Sequence, residues 1–405
     1  RTMLVPEGNA AMIGRRSNKP GTRLRVLHVV PTYYPATYFG GPIVSLLGLC
    51  NALAGLSDID LCVLTTDSSG PTRKARLDIP SAPVRAPEGY DIYYCRKWWG
   101  REFSGELLRR LYPLIRRSDV VHLTGVYSFP TIPTLVLCRW LQKPVVWSPR
   151  GSLQRWKGST HTRLKSLWEG MCSRLLVPGR CVLHVTSAQE AEESRHRVAC
   201  AAVRIVENGV DIPSQVPART WKPARQLRLL FMGRLDPKKG IENLLHAMLQ
   251  LEPTAVLTIC GSGDPSYESA LGQLADGLGL SGRVRFEGHV TGAAKLRAFT
   301  EADICVMPSY TENFGMVVSE ALAHGVPVLA SDRTPWAEVV ERGCGRLSAN
   351  DPDSLAQAVR AMAQQDLRQM GGIGRQWMTE AFSWDSVAAR MDVIYRELAA
   401  GLVDA

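Results

Sequence analysis

Three short stretches carry the residue types that handle phosphates and sugar hydroxyls. The first reads Glu312-Asn313-Phe314-Gly315-Met316-Val317-Val318-Ser319-Glu320 and follows the apolar run Asp303–Pro308. Phe314–Ala323 is predicted as a helix, with Gly325 in the stop position. Glu312 then lies in the loop before the helix and Glu320 two turns inside it. Amides near Phe314–Met316 have no partner within the helix and carry its positive end, which suits a phosphate. A carboxylate beside such a site accepts hydrogen bonds from sugar or ribose hydroxyls; the plainer alternative is a first-turn Glu that complements the helix dipole.

The second stretch is Gly233-Arg234-Leu235-Asp236-Pro237-Lys238-Lys239-Gly240, after a strand ending at Met232. A strand–loop–helix turn carrying Arg and Lys can hold a diphosphate. It is not a Walker loop, which needs G-x-x-x-x-G-K-[ST]. The third is Phe39-Gly40-Gly41-Pro42. Its paired glycines allow backbone to approach a ligand closely, and Pro42 suits a helix start.

Positioning these loops requires strands and helices in alternation. Short apolar runs do alternate with helical patterns, which predicts an α/β fold with parallel sheets. Strands are expected at Leu24–Val30, Leu61–Thr65, Val120–Leu123, Pro144–Trp147 and Val182–Thr186. A second series comprises Leu227–Met232, Ala255–Cys260, Val284–Glu287, Ile304–Met307 and Val326–Ala330. The series breaks at Asn208-Gly209-Val210-Asp211 and at a proline-rich stretch holding Pro213, Pro217 and Pro223. This gives a mobile tail (1–22), a first domain (23–212) and a second domain (213–385), followed by residues 386–405. Two doubly wound domains would enclose a cleft faced by the carboxyl ends of their strands.

Charge changes sign at the same boundary. The 405 residues hold 48 Lys/Arg and 38 Asp/Glu, a net charge of +10. Residues 1–210 contribute 29 − 15 = +14, and residues 211–405 contribute 19 − 23 = −4. Hydrophobic residues at 45% and charged residues at 21% exclude a disordered or fibrous chain. The ten cysteines lack C-x-x-C spacing and lie mostly in apolar runs, so reduced, buried thiols are expected. No apolar run reaches the ~18 residues of a membrane span, and the first residues lack an apolar signal core. A cytoplasmic protein is expected.

The basic excess clusters with aromatic residues. Residues 95–117 hold seven Arg/Lys against two Glu, with Trp98, Trp99, Phe103, Leu107, Leu108 and Leu111 interleaved. Residues 150–174 add six Arg/Lys against one Glu, with Trp156 and Trp168. Basic and aromatic residues at helical spacing suit an anionic membrane surface, which points to a peripheral position on the inner face of the cytoplasmic membrane. No nucleic-acid-binding motif accompanies the charge.

Taken together, Gly40-Gly41, Asn208-Gly209-Val210-Asp211, Gly233-Arg234 with Lys239-Gly240, Gly261-Ser262-Gly263, and Glu312…Glu320 with Phe314-Gly315 resemble family 4 of the retaining glycosyltransferases. The resemblance spans about residues 23–400. It implies the GT-B fold, two facing Rossmann-like domains. Phe382-Ser383-Trp384-Asp385 resembles the segment that leads into a final helix crossing back to the first domain. By this resemblance Arg234 and Lys239 neutralise the donor diphosphate. Asn313, Phe314, Gly315 and Met316 offer amides to the phosphate or donor sugar. Glu312 binds hydroxyls of the transferred sugar and Glu320 the ribose. Gly40 and Gly41 line the phosphate, and Gly261 and Gly263 shape the base pocket.

The chain departs from the family pattern at one place. Many relatives carry His-x-His at the end of the fourth strand, whereas this chain has His122-Leu123-Thr124. Residues 122 and 124 share one side of the strand, so both are candidates for the reacting centre. Arg150, in Ser148-Pro149-Arg150-Gly151, stands where relatives often have His-Gly and is a candidate for an anionic acceptor. Asp58-x-Asp60 and Asp351-x-Asp353 match a D-x-D metal signature, but the first precedes a strand and the second opens a helix, so no metal is expected. Gly261-Ser262-Gly263 lacks the third glycine of a nicotinamide fingerprint. The expected function is transfer of a sugar from a UDP- or GDP-linked donor to a glycan or polyprenyl-diphosphate-linked acceptor in cell-surface polysaccharide or lipopolysaccharide assembly. No cofactor beyond the donor is expected. A sugar-nucleotide epimerase of the same fold, or a catalytically dead membrane-associated interaction protein, are the alternatives.

Overall fold

The computed structural model describes residues 23–402, apart from positions 37, 39, 71, 73, 81 and 101 and the stretches 156–161, 199–201 and 223–224. The tail expected over 1–22, Phe39, Arg101, Trp156 and Lys157 therefore lie outside the described residues.

The first sheet has eight strands: β1 (Leu24–Val29), β2 (Ile59–Thr66), β3 (Val84–Arg85), β4 (Asp91–Cys95), β5 (Val120–Thr124), β6 (Val145–Ser148), β7 (Cys181–Val185) and β8 (Ala202–Ile205). Their order is β3-β4-β2-β1-β5-β6-β7-β8, parallel throughout except for the β3–β4 pair. The second sheet is parallel, with β9 (Arg228–Met232), β10 (Val256–Cys260), β11 (Val284–Gly288), β12 (Ile304–Met307), β13 (Val328–Ser331) and β14 (Gly345–Ser348) in the order β11-β10-β9-β12-β13-β14.

Ten of these fourteen strands coincide with the expected apolar runs. The other four are β3, β4, β8 and β14. They are short and mostly peripheral, and they lack the continuous apolar run that burial on both faces demands of a central strand.

Both faces of each sheet are covered, as a parallel sheet requires. On the first sheet, α1 (Gly41–Ala54) covers one face, while α2 (Gly105–Arg117), α3 (Thr131–Trp140) and α4 (Thr162–Leu175) cover the other. Helix α5 (Ala188–Arg197) follows β7. On the second sheet, α6 (Ile241–Met248), α7 (Pro265–Gly277) and α11 (Pro352–Ala363) pack on one face. The opposite face takes α8 (Gly292–Glu301), α9 (Met316–Ala323), α10 (Glu338–Glu341) and the end of α12 (Leu367–Trp377).

The last helix, α13 (Trp384–Ala400), returns to the first sheet and lies against α1. Val387, Ala388, Met391, Ile394, Tyr395 and Leu398 join the core of that sheet. Burying a large apolar side chain stabilises by about 1.5–3 kcal/mol, so this strap is a firm one. Trp384 sets its entry. A Cβ on Gly48 of α1, or on Gly209, would meet the Trp384 ring at 2.2 Å. Only glycine leaves room for the indole at either place, and its Nε1–H donates to Asp211 at 2.8 Å.

Each sheet has a switch point. The chain builds outward from β1 on one side (β2, β4, β3) and then resumes at β5 on the other. The second sheet does the same between β9 and β12. Crevices form at such points, outside the carboxyl ends of the strands. The loops that carry the sequence motifs leave from those ends.

Candidate functional site

The loop after β9 is shaped by its own polar groups. The Asp236 side chain accepts the Lys238 amide at 3.1 Å and starts a short helical turn over Pro237–Lys239. Gly240 ends that turn at φ 64°, and a Cβ there would meet the Pro308 carbonyl at 2.3 Å. The close approach brings the loops after β9 and β12 together, and the Tyr310 amide donates to the Lys238 carbonyl at 2.8 Å. In consequence the Lys239 ammonium pairs with the Glu312 carboxylate, which also accepts from Ser309 Oγ at 2.8 Å. Arg234, further out, is exposed and pairs with Asp236 at 3.2 Å.

Helix α9 begins at Met316, two residues later than the expected Phe314. Gly315 takes φ 79°, a left-handed conformation that cannot continue a helix. The Phe314 ring is buried against Trp336, whose indole N–H donates to the Phe314 carbonyl. This anchors the turn and leaves the first amides of α9 at the mouth of the second sheet.

Loops of the first sheet meet that turn from across the cleft. A Cβ on Gly41 would lie 3.8 Å from Met316 Cγ. A Cβ on Gly151, after β6, would lie 2.8 Å from Asn313 Cγ. Asn313 Nδ2 donates to Thr186 Oγ1, after β7, at 3.3 Å. Gly40, at φ 70°, caps α1 beside Gly41. The structure thus brings together Gly40, Gly41, Lys239, Glu312, Asn313, Phe314, Gly315 and Met316.

The other candidates stand elsewhere. Glu320 lies on α9 and pairs with Lys295 of α8 at 2.8 Å. A Cβ on Gly261 would fall 1.8 Å from the Gly233 carbonyl, and one on Gly263 would fall 1.9 Å from that of Leu235. These two glycines let the loops after β9 and β10 run in contact, which positions Arg234 and Asp236. Thr124 ends β5 and is buried.

His122 does not reach the cleft. It is fully buried, with Nδ1 2.6 Å from the Tyr395 hydroxyl and Nε2 2.6 Å from Ser148 Oγ. Burial holds its pKa well below the ordinary value. The strand face it shares with Thr124 is the face covered by α1 and α13, so alternation turned it into the core. Arg150 is also set back. It adopts φ 53°, and its guanidinium donates to Asn208 of the interdomain linker. Burial lowers its pKa, while the nearby Glu190 carboxylate opposes that effect.

Asp351 caps α11 by accepting the Ser354 amide at 2.8 Å, and Asp58 pairs with Arg396 of α13 at 2.6 Å. Both aspartates therefore have structural partners.

Two buried polar residues escaped the sequence reading. Glu190 is fully buried, and its carboxylate accepts from the Gly151 amide and from Thr186 N and Oγ1, both at 2.8 Å. It ties the loops after β6 and β7 to each other. Its signal was present as Ser187-x-x-Glu190, a helix-start signature; Ser187 does cap α5. Here the Glu reaches past the cap residue to Thr186. The second is His28 on β1, which had no motif around it.

The basic surface is redistributed. Lys97 is buried, its ammonium donating to the Thr72 and Ala75 carbonyls at 3.0 and 2.6 Å and to Ser68 Oγ at 3.3 Å. Leu107 and Leu111 pack into the core, and Arg150 faces the linker. Trp98, Trp99, Leu108 and Tyr112 remain exposed, joined by Trp140 of α3 and by Leu164, Leu167 and Met171 of α4. All lie on the α2–α4 side of the sheet. Among the described residues no helix is long and apolar enough to cross a membrane. The nine described cysteines are unpaired.

Comparison with known proteins agrees with this architecture. Residues 39–213 match the model of Glycosyltransferase Family 4, and residues 216–377 match that of Glycosyl transferases group 1. A D-inositol 3-phosphate glycosyltransferase of Corynebacterium jeikeium is 28% identical over 296 residues, 64% of this chain and 71% of that protein. A phosphatidyl-myo-inositol mannosyltransferase of Mycolicibacterium smegmatis is 34% identical over 200 residues, 47% of this chain and 50% of that one. Among solved structures, sucrose-phosphate synthase from Thermosynechococcus elongatus superposes with a TM-score of 0.71 at 22% identity, covering 93% of this chain and all (100%) of that one. Anabaena HepE in complex with UDP gives 0.70 at 17% identity, covering 92% and 100%. These structural likenesses speak for the fold alone. The two family models adjoin and together take in most of the sequence: the chain belongs to the family 4, group 1 glycosyltransferases and has their GT-B fold.

Proposed function

We propose that the protein transfers a sugar, with retention at the anomeric carbon, from a UDP- or GDP-linked donor to a glycan or polyprenyl-diphosphate-linked acceptor in cell-surface polysaccharide or lipopolysaccharide assembly. The observation that carries this reading is the convergence of Lys239, Glu312 and the start of α9 on the side of the cleft facing Gly41. As the glycosidic bond breaks, charge grows on the departing diphosphate. Lys239, Arg234 and the α9 amides are suited to stabilise it without reorganising. Glu312, held by Lys239 and Ser309, keeps a carboxylate oxygen available for sugar hydroxyls. Glu320 is the candidate for the ribose.

With His122 in the core, this reading assigns no base role to an imidazole of the described residues. The acceptor hydroxyl attacks from the face the diphosphate leaves, and its proton passes to the departing phosphate oxygen. The transition state is oxocarbenium-like. This reading calls on no metal and no cofactor beyond the donor. Domain closure would exclude water and align the acceptor, with 23–212 as the acceptor side, 213–385 as the donor side and 386–405 as the strap. Exposed Trp98, Trp99, Trp140, Leu164 and Leu167 among Arg and Lys support docking on an anionic membrane at the cytoplasmic face.

The test is a donor screen on phosphatidylglycerol vesicles carrying a polyprenyl diphosphate. Product with the donor's anomeric configuration, dependent on acceptor, supports the proposal. Conversion of donor without acceptor would favour the epimerase reading instead.

A further inference from the structure

Asn313 reaches across the cleft into a seat built by the first sheet. Its Nδ2 lies 3.3 Å from Thr186 Oγ1, after β7. The same side chain lies against Gly151, after β6, at φ 77°. A Cβ there would fall 2.8 Å from Asn313 Cγ and 3.0 Å from Oδ1, so only a glycine leaves room for the amide. Asn313 Oδ1 has no hydrogen-bond partner among the described residues. The bond to Thr186 is therefore what fixes this side chain.

One carboxylate holds both sides of the seat. Glu190 is fully buried. One of its oxygens accepts the Gly151 amide, and the other accepts the Thr186 amide and hydroxyl, both at 2.8 Å. Burying a carboxylate is costly unless its oxygens are hydrogen-bonded, and here both are. A carboxylate has no proton to give, so the Thr186 hydroxyl commits its single proton to Glu190. What Thr186 Oγ1 turns to Asn313 is a lone pair. That sets the orientation of the Asn313 amide. Its Nδ2 donates to Thr186, whereas a flipped amide would set its oxygen against an oxygen with no proton left to offer.

The place of Asn313 in the chain gives this contact its consequence. It follows Glu312, which pairs with Lys239, and it precedes Gly315 and the first amides of α9. One side chain thus ties the turn that carries these groups to the loops after β6 and β7 of the opposite domain. We infer that Thr186 is a positioning residue: with its proton held by Glu190, it latches Asn313 and sets the donor-binding turn against the first domain, where the acceptor must stand. This rests on the proposed glycosyl transfer. The latch aligns two substrates and does not itself hold the nucleotide, so its loss belongs in kcat and not in nucleotide affinity.

Two measurements test it. The first needs no substrate. Urea unfolding of the native chain, Thr186→Val, Asn313→Ala and the double variant closes a mutant cycle. The two sites should be coupled by a factor of about two to ten in the unfolding equilibrium constant, the worth of one neutral hydrogen bond. Additive effects would show that the contact is not made in solution and would overturn the inference. The second is turnover of UDP-glucose and GDP-mannose on phosphatidylglycerol vesicles carrying a polyprenyl diphosphate. Thr186→Val should lower kcat about two- to tenfold and leave UDP and GDP affinity native, while Thr186→Ser restores kcat. A valine variant with native kcat, or a serine variant as slow as the valine one, would overturn it. Coupling in the unfolding cycle without turnover of any nucleotide sugar would defeat the proposed function and confirm the contact; an additive cycle defeats the latch whatever the turnover.

Discussion

The Lys239 ammonium and the Glu312 carboxylate pair across the switch point of the second sheet, joining the loop after β9 to the loop after β12. Both side chains are largely buried, so neither is a spare surface charge. Glu312→Gln should leave the fold intact and lower kcat by about 100- to 1000-fold, the range for losing one group that stabilises a transition state. Turnover at saturating donor checks this.

Trp384 fixes the interdomain strap through two glycines. Gly209→Ala would force a methyl into its indole and should destabilise the fold by about 1–3 kcal/mol, the usual cost of overpacking. Gly272→Ala, in the middle of α7 where nothing lies within 4 Å of a Cβ, should instead be neutral or stabilise by up to about 1 kcal/mol. Thermal unfolding of the two variants measures the contrast.

Three neutral histidines lie in the first sheet's core. Burial pushes His28 and His184 down to about 3 and His122 well below its usual value. The unfolded chain protonates all three near pH 6.5, whereas the folded chain does not. Stability should therefore be flat above about pH 7 and fall as the pH drops from 6.5 toward 3. Each histidine adds about 1.4 kcal/mol per pH unit to that slope. Urea unfolding at pH 7, 6 and 5 reads it, and His184→Asn should lower the slope by one proton.

The exposed leucines of α4 make the membrane reading testable without touching the cleft. Leu164→Asp with Leu167→Asp should abolish binding to phosphatidylglycerol vesicles and leave Tm unchanged, because both residues are well exposed (66% and 71%). Sedimentation with vesicles checks it.

The central strands and the loop motifs were legible because parallel strands buried on both faces read as apolar runs, and because glycines mark the turns at their ends. Lys239 and Glu312 could be paired from the sequence only through the family resemblance; 73 residues separate them. The depth of residue 122 was not legible, for a physical reason. Alternation says which residues share a side of a strand, but not whether that side is closed by a helix. Here α13, arriving from the far end of the chain, closes it with Tyr395. Lys97 was hidden in the same way: a lysine among arginines reads as surface until the carbonyls of Thr72 and Ala75 are seen around its ammonium. His28 carried no signal, because its partners Cys50 and Thr124 reach it from other elements.

The account rests on a nucleoside diphosphate being held where Lys239, Glu312 and the start of α9 converge. Titration calorimetry with UDP and with GDP on the native chain and on Lys239→Ala tests this directly. One of the two nucleotides should bind the native chain, and Lys239→Ala should bind it at least tenfold more weakly. Equal affinity in the two proteins, or no binding of either nucleotide, would contradict it.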